Sequence, residues 1–343
     1  MHLVTGSSGF LGSAIVKKLV KLGEKVRAID ILEDDEVSKI SEFEKIDISI
    51  PKNLEKSKIF DEVKYVHHNA AKVPLTKAGS DFYSSNVTGT INILEQCKKH
   101  SVNHISHMSS SAIFGKPAKD HNVNYNSYSP TGYYGKTKYL AELEVLKYQK
   151  SNLIKNSSII RPRPVIGEGR LGIFQILFDW VKDNKKIPII GDANNIFQFA
   201  NIDDLVDVSI ETALKQKKGI FNIGNEEYST LKNDLNTSFK KIGSRSTVLP
   251  INEKLAIAAL FTLDKLNLSP LSSWHYLSYS WNFYYDQKVN FERLEWRPKK
   301  SNVDLIIQAY NWYIQQEKNL TNNNSPHRNK IKQKMLNVVK IFM

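Results

Sequence analysis

A phenol and an ammonium group stand four residues apart at the start of a predicted helix, at Tyr134 and Lys138. Residues at positions i and i+4 lie on the same helix face. A phenol is normally a poor base, with a pKa of about 10, but a neighbouring ammonium stabilises the phenolate and lowers that value. We therefore predict that Tyr134 exchanges a proton with a substrate hydroxyl while a hydride is transferred. Tyr133 has no lysine four residues later, and the alternative for the Tyr134–Lys138 pair is a solvated helix surface.

Three consecutive serines, residues 109–111, follow a predicted strand over residues 104–108. Side chains at the carboxyl end of a parallel strand lie where open α/β sheets bind ligands. Ser110 is expected to hydrogen-bond the reacting oxygen and to orient it toward Tyr134, and Ser111 is expected to contact the substrate. Because three serines stand in a row, Ser109 and Ser111 remain alternatives for the role of Ser110.

A glycine-rich turn connects the first predicted strand to the first predicted helix. Its glycines, Gly6, Gly9 and Gly12, have the spacing GxxGxxG. In this context Gly6 permits a tight turn, Gly9 lets a pyrophosphate approach the helix N-terminus, and Gly12 allows close packing of helix and sheet. We predict that a dinucleotide contacts these glycines together with Phe10 and Leu11. A glycine-rich turn without a ligand is the alternative.

The second predicted strand ends in a carboxylate, Asp30, 18 residues after Gly12. A carboxylate there accepts hydrogen bonds from both ribose hydroxyls and repels a 2′-phosphate, which favours NAD over NADP. Two alternatives remain: Asp30 only caps the following loop, or Arg27 on the same strand serves a phosphate. NAD would also bring a positively charged nicotinamide next to Tyr134, and Lys138 would hold the nicotinamide ribose.

Two further segments are predicted to contact the cofactor. Asp47 and Ile48 are placed to meet the adenine. Ala70 and Ala71 follow a predicted strand and supply small side chains where the backbone passes close to the cofactor.

Short apolar runs alternate with segments of helical periodicity along the first half of the chain. The predicted strands cover residues 3–5, 26–29, 65–68, 104–108, 158–161, 187–190 and 219–223. The predicted helices cover residues 10–22, 80–100, 131–149, 172–184, 202–214 and 302–316. This alternation predicts βαβ units, right-handed crossovers and a parallel sheet, hence an α/β fold.

Composition limits the class of protein and its surroundings. The 343 residues, 41% hydrophobic, suffice for a large core without disulfides. The single cysteine, Cys97, and an N-terminus that leads straight into a predicted strand point to a reducing cytoplasm. No apolar run reaches the length of a spanning helix. The net charge of +13 comes without zinc spacing or a stacking motif, so neither a metal site nor nucleic-acid binding is predicted.

Eight motifs together resemble one enzyme family. They are TGSSGFLG, Asp30, HHNAA (67–71), NVTGT (86–90), SSSAIFG (109–115), YGKTK (134–138), IRPRPVIG (160–167) and NIDDL (201–205). In order and approximate spacing they resemble the extended short-chain dehydrogenase/reductase superfamily, specifically its NAD-dependent epimerase/dehydratase family. The resemblance implies a Ser–Tyr–Lys site of Ser110, Tyr134 and Lys138. It also implies that Asn86 lines the cofactor site.

The resemblance implies a domain organisation as well. A Rossmann-fold doubly wound parallel sheet is expected together with a smaller mixed α/β C-terminal substrate domain. Residues 1–162 would form the NAD-binding domain, completed by residues 202–225. Residues 163–317 would form mainly the substrate domain, followed by a basic tail over residues 318–343. Dimerisation through the helices near 80–100 and 131–150 is implied by the resemblance alone.

Departures from the family pattern bear on the reaction. Nucleotide-sugar dehydratases carry an acid pair where this chain has Ser111 and Ala112, so 4,6-dehydration by their mechanism is not expected. UDP-sugar epimerases bind the diphosphate through an asparagine and an arginine at the positions of Pro164 and Phe197. Substitutes available in this chain are Lys72, Arg161, Arg163 and Arg170.

Three functions therefore remain open. The first is an oxidoreductase that acts on a nucleotide sugar, as a 4-epimerase does. The second is an oxidoreductase that resembles 3β-hydroxysteroid dehydrogenases and acts on a lipid-like alcohol. An aromatic-rich stretch over residues 269–285 would accommodate such a substrate. The third is a non-catalytic NAD-binding protein, against which the complete set of Ser110, Tyr134 and Lys138 argues.

The basic tail has a pattern of its own. Residues 318–343 contain six Lys or Arg and no acid, and five apolar residues form one stripe at helical spacing. A basic amphipathic helix of this kind fits the anionic inner face of a membrane, buried to the headgroup level. A disordered tail, or a helix docked on the enzyme itself, are the alternatives.

Overall fold

The computed structural model describes residues 1–73, 81–117, 128–265, 277–286 and 288–317. The strands are β1 (His2–Thr5), β2 (Val26–Asp30), β3 (Glu42–Lys45), β4 (Tyr65–His68), β5 (His104–Met108), β6 (Ser157–Pro162), β7 (Val165–Ile166), β8 (Ile187–Ile190), β9 (Ala200–Asn201), β10 (Gly219–Ile223) and β11 (Val248–Ile251).

Helices follow most of these strands. They are α1 (Phe10–Lys21), α2 (Asp35–Ile40), α3 (Pro51–Lys56), α4 (Asp81–Tyr83), α5 (Gly89–Lys99), α6 (Gly132–Lys150), α7 (Ile173–Lys182), α8 (Ile202–Leu214), α9 (Leu231–Ile242), α10 (Glu253–Lys265), α11 (Lys288–Leu294) and α12 (Asn302–Gln316). A π-helical turn (Ser84–Thr88) joins α4 to α5.

Seven parallel strands form the main sheet, in the order β10-β6-β5-β4-β1-β2-β3. The chain builds the sheet outward from β1 toward β3 and then returns to build the other half from β4. The loops that leave β1 and β4 therefore diverge, which opens a crevice at the carboxyl ends of these strands. The predicted α/β fold with a Rossmann-type parallel sheet is confirmed.

Both faces of the sheet are covered by helices, as a fully buried parallel sheet requires. On one face, Ile15 and Leu19 of α1 pack with Ile202, Val206 and Ile210 of α8. On the other face, apolar side chains of α5 and α6 pack onto the strands; Ile93, Leu94 and Val145 belong to that core.

A second apolar core lies in the C-terminal half, between α7, α9 and α12. Among its most deeply buried large side chains are Trp180, Phe178 and Phe239, which pack with Leu305 and Tyr313. Two short sheets flank it, one formed by strands β8 and β11 and the other by strands β7 and β9. The chain leaves this region for α8 and β10, which return to the main sheet. A division into two domains at residue 162 remains our proposal.

The sequence did not indicate every element. Strand β3 was not predicted because its residues, Glu-Phe-Glu-Lys, are mostly charged and exposed, as an edge strand tolerates. The helix predicted over residues 80–100 is interrupted by the π-helical turn. The basic tail and residues 269–276 of the aromatic stretch lie outside the described residues. Within the described part of the chain, no helix has the length and apolar character needed to cross a membrane.

Candidate active site

A cavity of about 720 Å³ opens where the loops after β1 and β4 diverge. The glycine turn and the ends of β1, β2, β4, β5 and β6 form one side of it. Helix α7 and the C-terminal half contribute Phe174, Phe197, Tyr279 and Phe283 to the other side. The cavity thus joins the predicted cofactor residues to the predicted catalytic residues.

The glycine turn is shaped for a close approach of backbone to ligand. Gly6 has a φ of +67°, and a Cβ there would lie 2.7 Å from the amide nitrogen of Ala70. At Gly12 a Cβ would lie 2.1 Å from the carbonyl oxygen of Gly6. Gly9 is the N-cap residue of α1 and supplies no side-chain cap, so the first amides of the helix, at Phe10 and Leu11, face the cavity. Such an open helix N-terminus fits a diphosphate.

Asp30 lies in the cavity wall at the end of β2. Its two carboxylate oxygens accept the backbone N–H groups of Ser8, at 3.0 Å, and of Leu32, at 3.1 Å. Burial raises the pKa of Asp30, and these backbone hydrogen bonds oppose the rise. Asp30 therefore holds the glycine turn while it faces the position predicted for a ribose.

Arg27 does not reach this cavity. Its guanidinium donates to the Glu42 carboxylate at 2.8 Å and to the carbonyl oxygen of Ile59 at 3.3 Å. The alternative in which Arg27 binds a 2′-phosphate is therefore wrong for this conformation, which favours NAD.

The other predicted cofactor contacts also line the cavity. Asp47 and Ile48 lie beyond Asp30, and Ala70 and Ala71 follow β4. The Asp47 carboxylate accepts the amide and the hydroxyl of Ser49, at 2.9 and 2.6 Å. These side chains are placed for the adenosine half of a dinucleotide.

Ser110 and Tyr134 meet at the opposite end of the cavity. Ser110 follows β5 and begins a 3₁₀ turn, in which its hydroxyl accepts the Ala112 N–H at 3.1 Å. Tyr134 lies in the first turn of α6 and lines the same cavity. Two elements that are distant in the sequence therefore bring a hydroxyl and a phenol to the same end of the cavity.

The charges around Tyr134 differ from the sequence-based expectation. Burial raises the pKa of Tyr134, and the opposing influences are the Ser110 hydrogen bond and the positive charge of Arg170. Lys138 instead donates to the carbonyl oxygen of Met108 at 2.5 Å, and burial lowers its pKa to about 8. Arg170 and not Lys138 is therefore the cation whose charge opposes the rise of the Tyr134 pKa.

Asn86 is placed differently from its predicted role. It is 1% exposed and does not line the cavity. Its amide accepts the Lys72 N–H at 2.7 Å and donates to the Lys72 carbonyl oxygen at 3.2 Å and to Thr137 Oγ1 at 3.0 Å. Asn86 therefore positions the loop after β4 against α6, and its direct contact with the cofactor stays a prediction. Ser84 and Ser85 of the π-helical turn line the cavity instead.

Three of the four proposed substitutes for the missing diphosphate ligands line the cavity: Lys72, Arg163 and Arg170. Ser111 does so as well, and its hydroxyl accepts Arg163 Nη1 at 3.3 Å. Arg161 does not, because its guanidinium is buried in a two-point ion pair with Glu142.

Glu142 is a residue that the sequence analysis missed. It is 1% exposed and also accepts the Ser109 hydroxyl at 2.8 Å, so Ser109 is not free for the substrate. Its negative charge opposes the lowering of the Lys138 pKa. Because Glu142 stands four residues after Lys138 on α6, the i, i+4 spacing of Tyr134, Lys138 and Glu142 was the available signal.

Comparisons with known proteins agree with this geometry. The family model described as "NAD dependent epimerase/dehydratase family" matches residues 2–224. The uncharacterized protein y4nG of Sinorhizobium fredii is 33% identical over 337 residues, which cover 97% of this chain and 84% of that protein. A putative UDP-glucose 4-epimerase of Methanocaldococcus jannaschii is 33% identical over 257 residues, covering 68% and 82%.

A solved structure shows the same fold. The UDP-glucose 4-epimerase of Thermotoga maritima superimposes with a TM-score of 0.75 at 21% identity, covering 92% of this chain and 99% of that one. The chain belongs to the NAD-dependent epimerase/dehydratase family. The predictions of an extended short-chain dehydrogenase/reductase enzyme and of dependence on NAD are confirmed at the level of the family. Among the described residues no cluster of His, Cys, Asp and Glu could hold a metal ion.

Proposed function

We propose that this enzyme transfers a hydride between a substrate carbinol and NAD at the site of Ser110, Tyr134 and Lys138. The observation that carries the proposal is that Ser110, Tyr134 and Lys138 line one cavity together with the open glycine turn. Bound NAD supplies the hydride acceptor, and the residues of the chain supply position and proton transfer.

Each residue of the site has a separate task in this proposal. Tyr134 takes the proton of the substrate hydroxyl and returns it after the hydride has moved back. Ser110 holds the reacting oxygen next to the phenol. Lys138, fixed to the end of β5 by Met108, holds the nicotinamide ribose. Gly9, Phe10 and Leu11 hold the diphosphate of NAD, and Asp30 its adenosine ribose.

A nucleotide sugar is the substrate that we favour, with epimerisation at the 4-position as the reaction. The named relatives that support it are UDP-glucose 4-epimerases. The second candidate is a lipid-like alcohol. Bovine sterol-4-alpha-carboxylate 3-dehydrogenase, decarboxylating, is 27% identical over 235 residues. Phe174, Phe197 and Phe283 make the substrate side of the cavity apolar, which supports this candidate.

The test is a substrate screen with the full chain and added NAD. UDP-, GDP- and CDP-sugars are followed by proton NMR for interconversion, and hydroxysteroids are followed by NADH absorbance. Interconversion of a nucleotide sugar supports the first candidate, and NADH formed from a hydroxysteroid supports the second. If no compound reacts although NAD binds, the non-catalytic alternative replaces both.

Two partner proposals accompany this function. A homodimer through the region of α5 and α6 is tested by light scattering of the full chain. Weak contact of residues 318–343 with the inner face of a membrane is tested by co-sedimentation with anionic vesicles, comparing the full chain with a truncation after Glu317. If both forms stay in the supernatant at low salt, the membrane proposal fails.

A further inference from the structure

Arg163 is a buried cation without an acidic partner among the described residues. It is 2% exposed, and its Nη1 donates to Ser111 Oγ at 3.3 Å, whereas Nε and Nη2 have no acceptor in the part of the chain that the structure describes. The guanidinium carbon lies 3.8 Å from the centroid of the Phe283 ring and 5.3 Å from that of Phe197. Burial lowers the pKa of Arg163 to about 10, which leaves it charged at neutral pH.

Arg170 is a second cation that lines the same cavity, and its Nε also lacks an acceptor among the residues that the structure describes. Its guanidinium carbon lies 5.6 Å from the centroid of the Phe10 ring. Its charge acts on Tyr134, whereas Arg163 is bonded to Ser111, next to Ser110. In the described part of the chain, two guanidinium groups without a carboxylate partner therefore line the cavity near Ser110 and Tyr134.

The neighbouring Arg161 shows what a satisfied buried arginine looks like in this protein. It forms a two-point ion pair with Glu142 and a further hydrogen bond to Tyr128. Burying a charge without such a partner is costly. The fold accepts that cost at Arg163, which faces a cavity with room for a ligand. The missing partner is therefore expected on the ligand.

We propose that Arg163 and Arg170 bind a carboxylate of the substrate, carried by the carbon next to the reacting carbinol. This inference rests on the proposed function, because it takes Tyr134 as the group that contacts the carbinol. A planar carboxylate matches the donor geometry of a guanidinium. The diphosphate of a nucleotide sugar is several bonds away from the 4-hydroxyl. A β-hydroxy acid instead places an oxyanion within reach of both arginines.

The first test is binding to the full chain loaded with NAD. UDP-glucuronate and UDP-glucose differ only in carrying a carboxylate or a hydroxymethyl group next to C4, so their affinity ratio isolates the carboxylate. A second pair, 3-hydroxybutanoate and butane-1,3-diol, makes the same comparison without a nucleotide. Calorimetry in the Tyr134→Phe variant prevents turnover and keeps both arginines.

We expect the carboxylate member of at least one pair to bind at least about tenfold more tightly. Adding Arg163→Met to the Tyr134→Phe variant should reduce that preference to within about twofold, and adding Arg163→Lys instead should retain part of it. Lys136→Met, which removes an exposed charge outside the cavity, should leave it unchanged.

The melting temperature separates binding from a structural role. If Arg163 serves a ligand, Arg163→Met removes an unpaired buried charge and should leave the ligand-free protein at least as stable. The proposal is overturned if neither pair shows a carboxylate preference. It is also overturned if Arg163→Met weakens UDP-glucose and UDP-glucuronate equally, since that result assigns Arg163 to the diphosphate. If Tyr134→Phe keeps its turnover while the carboxylate preference holds, the proposed function fails and the anion site stands.

Discussion

The ammonium group of Lys138 donates a hydrogen bond to the carbonyl oxygen of Met108 at 2.5 Å, which fixes the first turns of α6 to the end of β5. The Lys138 side chain therefore links the end of β5, which Ser110 follows, to the helix that carries Tyr134. Burial lowers the pKa of Lys138 to about 8.

This pKa predicts how cofactor binding depends on pH. As pH rises through about 8, Lys138 gives up its proton, and the nicotinamide ribose loses a charge-assisted hydrogen-bond donor. NAD affinity of the wild type should therefore fall severalfold between pH 7 and pH 9. Fluorescence titration with NAD measures it. Lys138→Met should bind NAD weakly with little pH dependence over this range, and a variant that keeps the wild-type profile would contradict the assignment.

Tyr134→Phe should abolish most turnover without loss of cofactor. The change removes the proton carrier and keeps the ring, so the rate should fall by about 10²–10⁴-fold while NAD affinity stays nearly constant. Tyr133→Phe is the matched control, because Tyr133 is 45% exposed on the same helix turn. Rates on the substrate found in the screen, with NAD titrations of each variant, provide the measurement. Retention of most of the activity by Tyr134→Phe would show that the wrong tyrosine was chosen.

Asp30→Asn should weaken the preference for NAD over NADP. The amide keeps one oxygen acceptor for the backbone of Ser8 or Leu32 but no longer carries the charge that repels a 2′-phosphate. We expect the ratio of the two affinities to fall by about tenfold, the effect of one charge-assisted hydrogen bond. Titration of wild type and variant with both cofactors checks it. Wild-type protein that binds NADP as tightly as NAD would refute the role of Asp30.

Buried histidines predict acid sensitivity. Burial lowers the pKa of His68 to about 3 and that of His104 to about 4, and it lowers the pKa of His107 well below 6.5. Below pH 6.5 the unfolded chain therefore binds protons that the folded protein does not. The free energy of unfolding should fall with decreasing pH, by about 1.4 kcal/mol per pH unit for each such histidine.

A substitution at His107 measures how much one histidine contributes to this pH dependence of the free energy of unfolding. Neither of its ring nitrogens has a hydrogen-bond partner in the described part of the chain. His107→Leu should therefore be tolerated at pH 7 and should reduce the loss of stability between pH 6.5 and pH 5. Urea unfolding at several pH values measures the slope. An unchanged slope would mean that His107 does not titrate on unfolding.

The sequence predicted the parts of this site that depend on local patterns. The GxxGxxG turn, the strand ends at Asp30 and Ser110, and the i, i+4 pair of Tyr134 and Lys138 all follow from short segments. The fold then brings them to one cavity because parallel strands end at the same edge of the sheet.

The remaining features depend on contacts between distant segments. The π-helical turn moves Asn86 out of the cavity wall and brings Ser84 and Ser85 into it. Arg170 becomes the cation that acts on Tyr134 only because residues 163–170 fold back over the strand ends. No local pattern distinguishes the satisfied Arg161 from the unpaired Arg163, since only their neighbours in space differ.

The position of β10 in the sheet has a consequence for biosynthesis. This strand pairs with β6 along Gly219–Ile223, about 60 residues further along the chain. During translation the polypeptide emerges from the N-terminus onward. The edge of β6 therefore stays open, and the face of the sheet later covered by α8 stays exposed, until residue 223 has left the ribosome. A nascent chain halted near residue 162 is accordingly expected to require a chaperone.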